Sequence, residues 1–396
     1  MSQVPVTGPA IPVARPWMGE EEAAAARRAI LSGWVTQGPE VAALEREFAA
    51  CVGAPHACAV SNCTTALHLA LVAFGIGPGD EVITVSHSYI ATANAVRYTG
   101  ATPVFVDVDL ATFNMDPALV AGAITPRTRA ILCVHQLGMP CDIRALVHLA
   151  QAHGLKLIED AACAAGSLVQ TEGDHGSGTW EPIGRPHGDV ACFSFHPRKL
   201  LSTGDGGMIT TRDAALDQAF RLLRQHGMSV PDTVRHASTK VIQEQYPVVG
   251  YNYRLTDIQA AVGREQLTRL PAMVARRRLL AARYHDALAG LPGLTVPVEP
   301  SWARTNWQSY AVRVETPSRQ HEVMQALLDL GISTRRGVMN AHREAAYPHG
   351  SWVMAPGGLG RSEQAQDTAI VLPLFHQLTE GDQDRVIAAL ARAVAA

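Results

Sequence analysis

From residue 57 onward, short runs of β-branched and apolar residues alternate with longer stretches whose apolar positions recur every three or four residues. This alternation predicts a mainly parallel sheet joined by crossover helices. Strands are expected at Glu81–Val85, Thr102–Val106, Ala130–Val134, Leu155–Ile158, Val190–Phe195 and Met208–Thr211. Helices are expected at Thr64–Phe74, Pro117–Ala123, Ile143–His153 and Ala214–Gln225. Each strand is short enough, and each following helix long enough, for a right-handed crossover. At Thr256 the pattern changes to one long helical stretch rich in Arg and Ala that runs to Leu288, followed by Gly290, Pro292 and a mixed remainder. The shift divides the chain into an N-terminal arm and large domain, 1–255, and a small C-terminal α+β domain, 256–396. The segment Thr171 to His187 is rich in Gly, Pro and His without a period and predicts a long surface loop.

Composition narrows the class. The 396 residues are 47% hydrophobic and 17% charged, which excludes a disordered chain. A net charge of -3 offers no general attraction for nucleic acid or for an anionic membrane surface. The N-terminus lacks the basic start and apolar core of a signal peptide, and no run reaches the ~18 apolar residues of a membrane span, so a cytoplasmic protein is expected. The seven cysteines are odd in number and irregularly spaced, which reads as reduced thiols. Cys133 and Cys141, with His135 and His148, do not make a zinc spacing, and no metal is expected.

Three segments carry candidate chemistry. In FSFHPRKLLSTGDGG, Phe193 to Gly207, a lysine follows an apolar strand and precedes a cluster of glycines. Ligands in α/β sheets sit beyond the carboxyl ends of strands, so Lys199 is placed to form a Schiff base with an aldehyde cofactor. An exposed loop lysine fits the same residues equally well. In LKLIEDAACAAGS, Leu155 to Ser167, a strand delivers two carboxylates to its end. A pyridoxal phosphate (PLP) ring needs a protonated pyridine nitrogen to act as an electron sink, and Asp160 is the candidate that stabilises that charge. Glu159 points to the opposite face and reads as structural. A helix N-cap over Ala161 to Ala165 is the plainer account of Asp160.

The third segment, AVSNCTTALHLAL, passes from strand to turn to helix with small and hydroxylated residues at the helix start. Free amides there suit a phosphate, with Thr64 or Thr65 adding a hydroxyl; Asn62 and Thr64 serve equally as helix caps. Ser194, five residues before Lys199, can reach the same phosphate, and Tyr89 in SHSYIATAN offers an aromatic face to a planar ring.

With those residues in order, the chain resembles the DegT/DnrJ/EryC1/StrS family of PLP-dependent aminotransferases, which mostly act on nucleotide-linked keto-sugars. The resemblance runs from about Trp34 to Pro373 and includes SGWVTQGPEVAALEREFA, PVFVDVDLATFNMD, IEDAA, the lysine segment and GYNYRLTDIQAAVG. It implies PLP fold type I, aspartate aminotransferase-like, and a homodimer with active sites at the subunit interface. By the same resemblance Lys199 is the Schiff-base lysine, Asp160 the partner of the pyridine nitrogen, Tyr89 the stacking aromatic and Ser194 a phosphate ligand. Asn252 matches an asparagine that reaches the phosphate of the neighbouring subunit, with Arg254 either beside it or structural.

Several positions depart from the family. Cys63 stands where Gly usually precedes the phosphate-binding Thr64, which keeps the backbone donor and disfavours a positive φ. Cys163 stands where Gln usually meets the cofactor hydroxyl, and a thiol donates poorly. Asp205 replaces a usual Glu, and STRRGVMNAHREAAY differs near the substrate; Arg335 and Arg336 in it read as a solvated face rather than an acid-binding pair. The expected reaction takes an amino group from a small-molecule donor, glutamate or glutamine, to a keto-sugar. A cyclitol or carbocyclic ketone is the alternative acceptor. A sugar dehydratase of the same fold replaces the lysine by histidine, which Lys199 argues against, although His196 lies close by. A non-catalytic sensor is the third reading, and no DNA-binding module supports it.

Overall fold

The computed structural model describes residues 8–170 and 178–395. In chain order its strands are β1 (His56–Val60), β2 (Glu81–Val85), β3 (Thr102–Val106), β4 (Thr128–Val134), β5 (Lys156–Asp160), β6 (Leu168–Gln170) and β7 (Trp180–Pro182). They continue as β8 (Val190–Ser194), β9 (Gly207–Thr211), β10 (Leu294–Thr295), β11 (Ala303–Arg304), β12 (Tyr310–Val314), β13 (Arg335–Arg336), β14 (Val353–Met354) and β15 (Ala369–Leu372). The main sheet has the order β1-β9-β8-β5-β4-β2-β3-β14. The pairs from β8 to β14 are parallel, while β9 runs antiparallel to both β8 and β1.

All six predicted strands and all four predicted helices are present with ends shifted by a few residues. Every residue of β2 and β9 is buried, because helices cover both faces of the sheet; this is why such strands read as continuous apolar runs rather than alternating ones. The expected loop over 171–187 falls partly outside the described residues, and its described end departs from the expectation. β7 pairs antiparallel with β6, which pairs with β11 in a small three-stranded sheet. Trp180 in β7 has the Arg304 guanidinium 4.0 Å over its ring, so a polar-looking segment is pinned by one aromatic contact.

Two large apolar cores form. One surrounds the main sheet and includes Phe48, Phe193 and Phe195, whose rings meet edge to face at 4.9 and 5.6 Å from Phe48. The other lies on the sheet β10-β12-β15-β13 and includes Tyr284, Tyr310, Leu372 and Val386. The helix Asp257–Leu288 contributes Ala260, Leu267 and Leu270 to the first and Leu280, Tyr284 and Leu288 to the second. The C-terminal third also returns to the main sheet through β14, and Ile11 of the N-terminal arm packs in the second core beside Ile332. No helix among the described residues is long and apolar enough to cross a membrane.

The long helix is tied to the helix Pro39–Val52 by a carboxylate. Gly38 precedes that helix and has no side chain to cap it, so Asp257 takes over from across the fold. Its oxygens accept from the amides of Gly38 (2.7 Å), Val41 (3.0 Å) and Glu40 (3.1 Å). Free amides at a helix start favour an anion there. Replacing Asp257 by Ala strands these donors and is expected to lower stability by about 2 kcal/mol. A urea titration checks it: the midpoint falls while the slope is unchanged. An unshifted midpoint would show that water serves the amides equally well.

Candidate active site

Parallel strands aim their carboxyl ends at one edge of the sheet, and the candidate chemistry gathers there. β5 ends in Glu159 and Asp160, and the pleat sends them to opposite faces. Glu159 is fully buried and accepts from the amides of His187 (3.0 Å) and Gly188 (2.8 Å), with His135 Nε2 at 3.1 Å. His135 Nδ1 accepts the Cys141 amide, so its proton sits on Nε2, toward Glu159. This pair carries structure, as expected.

Asp160 is 5% exposed. Its Oδ2 accepts from the Thr92 hydroxyl at 2.8 Å and its Oδ1 from the Ala162 amide at 3.1 Å, with Cys63 Sγ 3.9 Å away. No helix begins at Ala161, so the capping account of Asp160 is not needed; the Ala162 bond closes a turn instead. Burial pushes the carboxyl above its ordinary value, and the Thr92 and Ala162 bonds and the charge of Lys199 offset that only in part.

Lys199 follows β8 in the turn that its amide closes onto the His196 carbonyl at 2.8 Å. The residue is half-buried, and Nζ lies 3.0 Å from Cys163 Sγ. Burial pulls its pKa down, but the Cys163 sulfur, Asp160 and Cys63 more than offset this and hold the amine above its ordinary value. The amine is therefore a cation at neutral pH, facing sulfur on one side and a carboxylate beyond it. The two cysteines singled out as departures line the same small space as the lysine and the aspartate. Nearby His196 uses Nδ1 to accept the Arg198 amide at 3.2 Å, the backbone role weighed for it.

The third segment forms as β1, a turn, and the helix Cys63–Ala73. Asn62 caps it by accepting the Thr65 amide at 2.9 Å, while Thr65 returns its hydroxyl to Asn62; Thr64 is half-buried with no part in the cap. Cys63 has ordinary helical backbone and is absent from the non-glycine residues of positive φ among those described. Gly207 is needed beside it: a Cβ there would come within 2.5 Å of the Asn62 carbonyl carbon and 2.9 Å of the Cys63 nitrogen.

Ser194 ends β8 and is half-buried, with its hydroxyl oxygen 3.4 Å from the His196 amide. Tyr89 is 64% exposed, three residues before Thr92. Asn252 is exposed and bridges to Gln225; Arg254 is half-buried. Arg335 and Arg336 are exposed in β13.

Reading the sequence missed Thr92, although it stands in the segment SYIAT that supplied Tyr89. It also missed Asn306 and Gln308. Nothing local marks them, since they reach the lysine turn and the Cys163 turn across more than a hundred residues of chain.

Known proteins match the chain over nearly its whole length. Residues 16–391 match the DegT/DnrJ/EryC1/StrS aminotransferase family. The spore coat polysaccharide biosynthesis protein SpsC of Bacillus subtilis (strain 168) is 38% identical over 390 residues, 96% of each chain. The crystal structure of the aminotransferase TlmJ from Streptoalloteichus hindustanus superposes with a TM-score of 0.87 at 35% identity, covering 97% of this chain and 99% of that one. The PLP-form of Spr1654 from Streptococcus pneumoniae gives 0.87 at 26% identity, covering 98% and 99%. The α/β architecture is that of fold type I. The chain belongs to the DegT/DnrJ/EryC1/StrS aminotransferase family, a family of PLP-dependent enzymes.

Proposed function

We propose that this protein transfers an amino group from glutamate to a nucleotide-linked keto-sugar, with PLP carried on Lys199. The observation that carries the reading is the meeting of Lys199 and a buried Asp160 at the carboxyl edge of the sheet, beside the helix start at Cys63. The polysaccharide role in the name of SpsC supports a sugar acceptor.

The residues present fit the cofactor. Asp160 is a buried carboxylate raised by desolvation, and a pyridinium nitrogen is the kind of partner that relieves it. The turn Asn62–Cys63–Thr64, backed by Gly207, presents amides and a hydroxyl suited to phosphate, and Ser194 is the second hydroxyl. Tyr89, 64% exposed, would supply a face to the ring, and Cys163, beside Lys199, would stand toward its hydroxyl. Asn252 serves the site of a second copy; the exposed Tyr246, Val248 and Val249 just before it, Val249 at 88%, support self-association there. We assign 256–396 to the small domain, with the first turns of its long helix and β14 packed back onto the large one, and a cytoplasmic location follows the sequence reading.

When bound, the cofactor supplies an electron sink for charge that develops at the donor α-carbon. Lys199 does the proton work. With the donor bound, the freed Nζ would be the base that takes the α-proton and the acid that gives it back, and the ketone half would use it in reverse. Its cationic state must first be undone. A cofactor held by Asp160 through its pyridine nitrogen would withdraw one of the charges that hold the proton on Nζ. Asp160 would thus serve both the cofactor and the lysine.

Incubating the holoenzyme with glutamate and a nucleotide-linked keto-sugar is expected to release 2-oxoglutarate continuously, and without acceptor only about one equivalent per site. Absence of 2-oxoglutarate with every such sugar would remove the acceptor class. In Lys199→Ala, borohydride is expected to fix no cofactor on the protein, and turnover is expected to fall by at least about 10²–10⁴-fold. Peptide mass spectrometry finding the cofactor fixed at another residue would overturn the lysine assignment. Asp160→Asn is expected to slow the glutamate half-reaction about 10²–10³-fold, as for loss of one preorganised charge. Cofactor affinity of the wild type should weaken as pH falls through the raised aspartate pKa, because protonation removes the anion; the Asn variant should lack that acid limb. Equilibrium dialysis across pH separates the two.

A further inference from the structure

The segment Asn306–Trp307–Gln308 precedes β12 and packs onto the turns that carry Lys199 and Cys163. Gln308 brackets the lysine. Its Oε1 accepts from the Leu200 amide at 3.1 Å and its Nε2 donates to the Arg198 carbonyl at 2.5 Å, one bond on each side of Lys199. Asn306 does the same for the other partner. Its Nδ2 donates to the carbonyls of Cys163 and Ala165, both at 2.8 Å, and its Oδ1 accepts the Gln308 amide at 2.8 Å. Both side chains are buried, Asn306 wholly and Gln308 to 8% exposure, so water does not readily replace these bonds.

The segment is itself braced from three directions. Arg277, in the long helix between the two cores, donates to the carbonyls of Trp307 and Gln308, both at 3.0 Å. Ser167 Oγ accepts the Asn306 amide at 3.0 Å and donates to the Gly138 carbonyl at 2.7 Å. Gly138, at φ +95°, leaves no room for a Cβ, which would fall 2.1 Å from Asn306 Oδ1. Trp307 (φ 51°) and Leu137 (φ 57°), in the two facing segments, hold left-handed backbone. Non-glycine residues in that region cost about 1–2 kcal/mol each and persist where surrounding contacts over-determine them. Such bracing exceeds what a surface connection to β12 requires.

We propose that Gln308 is a positioning residue for Lys199, and that with Asn306 it holds the lysine amine against the sulfur of Cys163. The inference rests on Lys199 being the working amine. The pairing of β5 with β8 brings the two turns near each other, but Nζ ends a chain of four rotatable bonds and Sγ lies three residues beyond β5, so the turns take their final spacing from the bonds of Asn306 and Gln308. Arg277 extends the device to the second core, so that the lysine's place depends on how the two cores are seated on the long helix.

The test uses cofactor-free protein and a readout that turnover does not supply. The pH dependence of acylation of Lys199 by acetic anhydride, followed on its peptide by mass spectrometry, reports the amine's pKa. Gln308→Met keeps the shape and removes both bonds; it is expected to lower that pKa from its raised position, Cys163→Ala is expected to do the same, and the double variant should move it no further. In holoenzyme Gln308→Met should reduce kcat about 10–100-fold with little change in donor KM, the signature of a misplaced group. Gln308→Glu, which keeps the bond to Leu200, should recover part of the kcat. If Gln308→Met does not fold, Gln308→Asn, uncharged and too short to make both bonds, carries the same comparison. A variant that is folded but leaves the Lys199 pKa unmoved, or a double variant whose effects simply add, would reduce Gln308 to a structural role. Borohydride fixation of cofactor in the wild type tests the underlying reading separately, so the two failures are distinguishable.

Discussion

A carboxylate taken out of water must be compensated, and in this protein that requirement organises the site. Asp160 sits at the end of a central strand with two hydrogen bonds, from Thr92 and Ala162, and with Lys199 near enough for its charge to act on it. Those contacts offset its desolvation only in part, which leaves a site whose electrostatics favour one further positive group. Each neighbour follows from that demand. Thr92 is turned inward by its helix, and Cys63 and Cys163 are small enough to leave room.

The lysine answers the same field from the other side. Its amine is kept charged by sulfur and carboxylate, so the cation and the anion stabilise each other until a ligand intervenes. In the function proposed above, a group that takes over the partnership with Asp160 would free the amine to lose its proton. Binding and activation would then be one electrostatic event. Precision of that event depends on atoms held by hydrogen bonds far from the chemistry, because a displacement of about 1 Å is enough to cost about 10²-fold in rate.

The two cores meet at the long helix, and the site lies where the second core's connection returns across the first. Arg277 and the segment 306–308 make that return a set of directed bonds rather than a loose loop. Directed bonds between buried groups specify one geometry, whereas apolar contact alone tolerates several. The strained backbone at Leu137 and Trp307 belongs to the same node.

Period and composition were enough to lay out the six central strands of the eight-stranded main sheet, since crossover units have short apolar strands and longer amphipathic helices; the two-residue edge strand β14 carries no such period. Lys199, Asp160, Thr64, Ser194 and Tyr89 could be singled out because each stands at or within a few residues of the end of such an element, where α/β sheets collect ligands, and the family resemblance gave them their expected roles. β7 was not, because three residues with Glu and Pro carry no alternation and gain their stability from Arg304 and β6. Asp257 capping another helix, Thr92 turned onto Asp160, and Gln308 straddling the lysine were also out of reach. Their partners lie up to about two hundred residues away along the chain. A sequence records local propensity and which side of an element is apolar; which distant donor satisfies a buried acceptor is decided only when the elements pack, and in this protein that decision set the environment of the lysine.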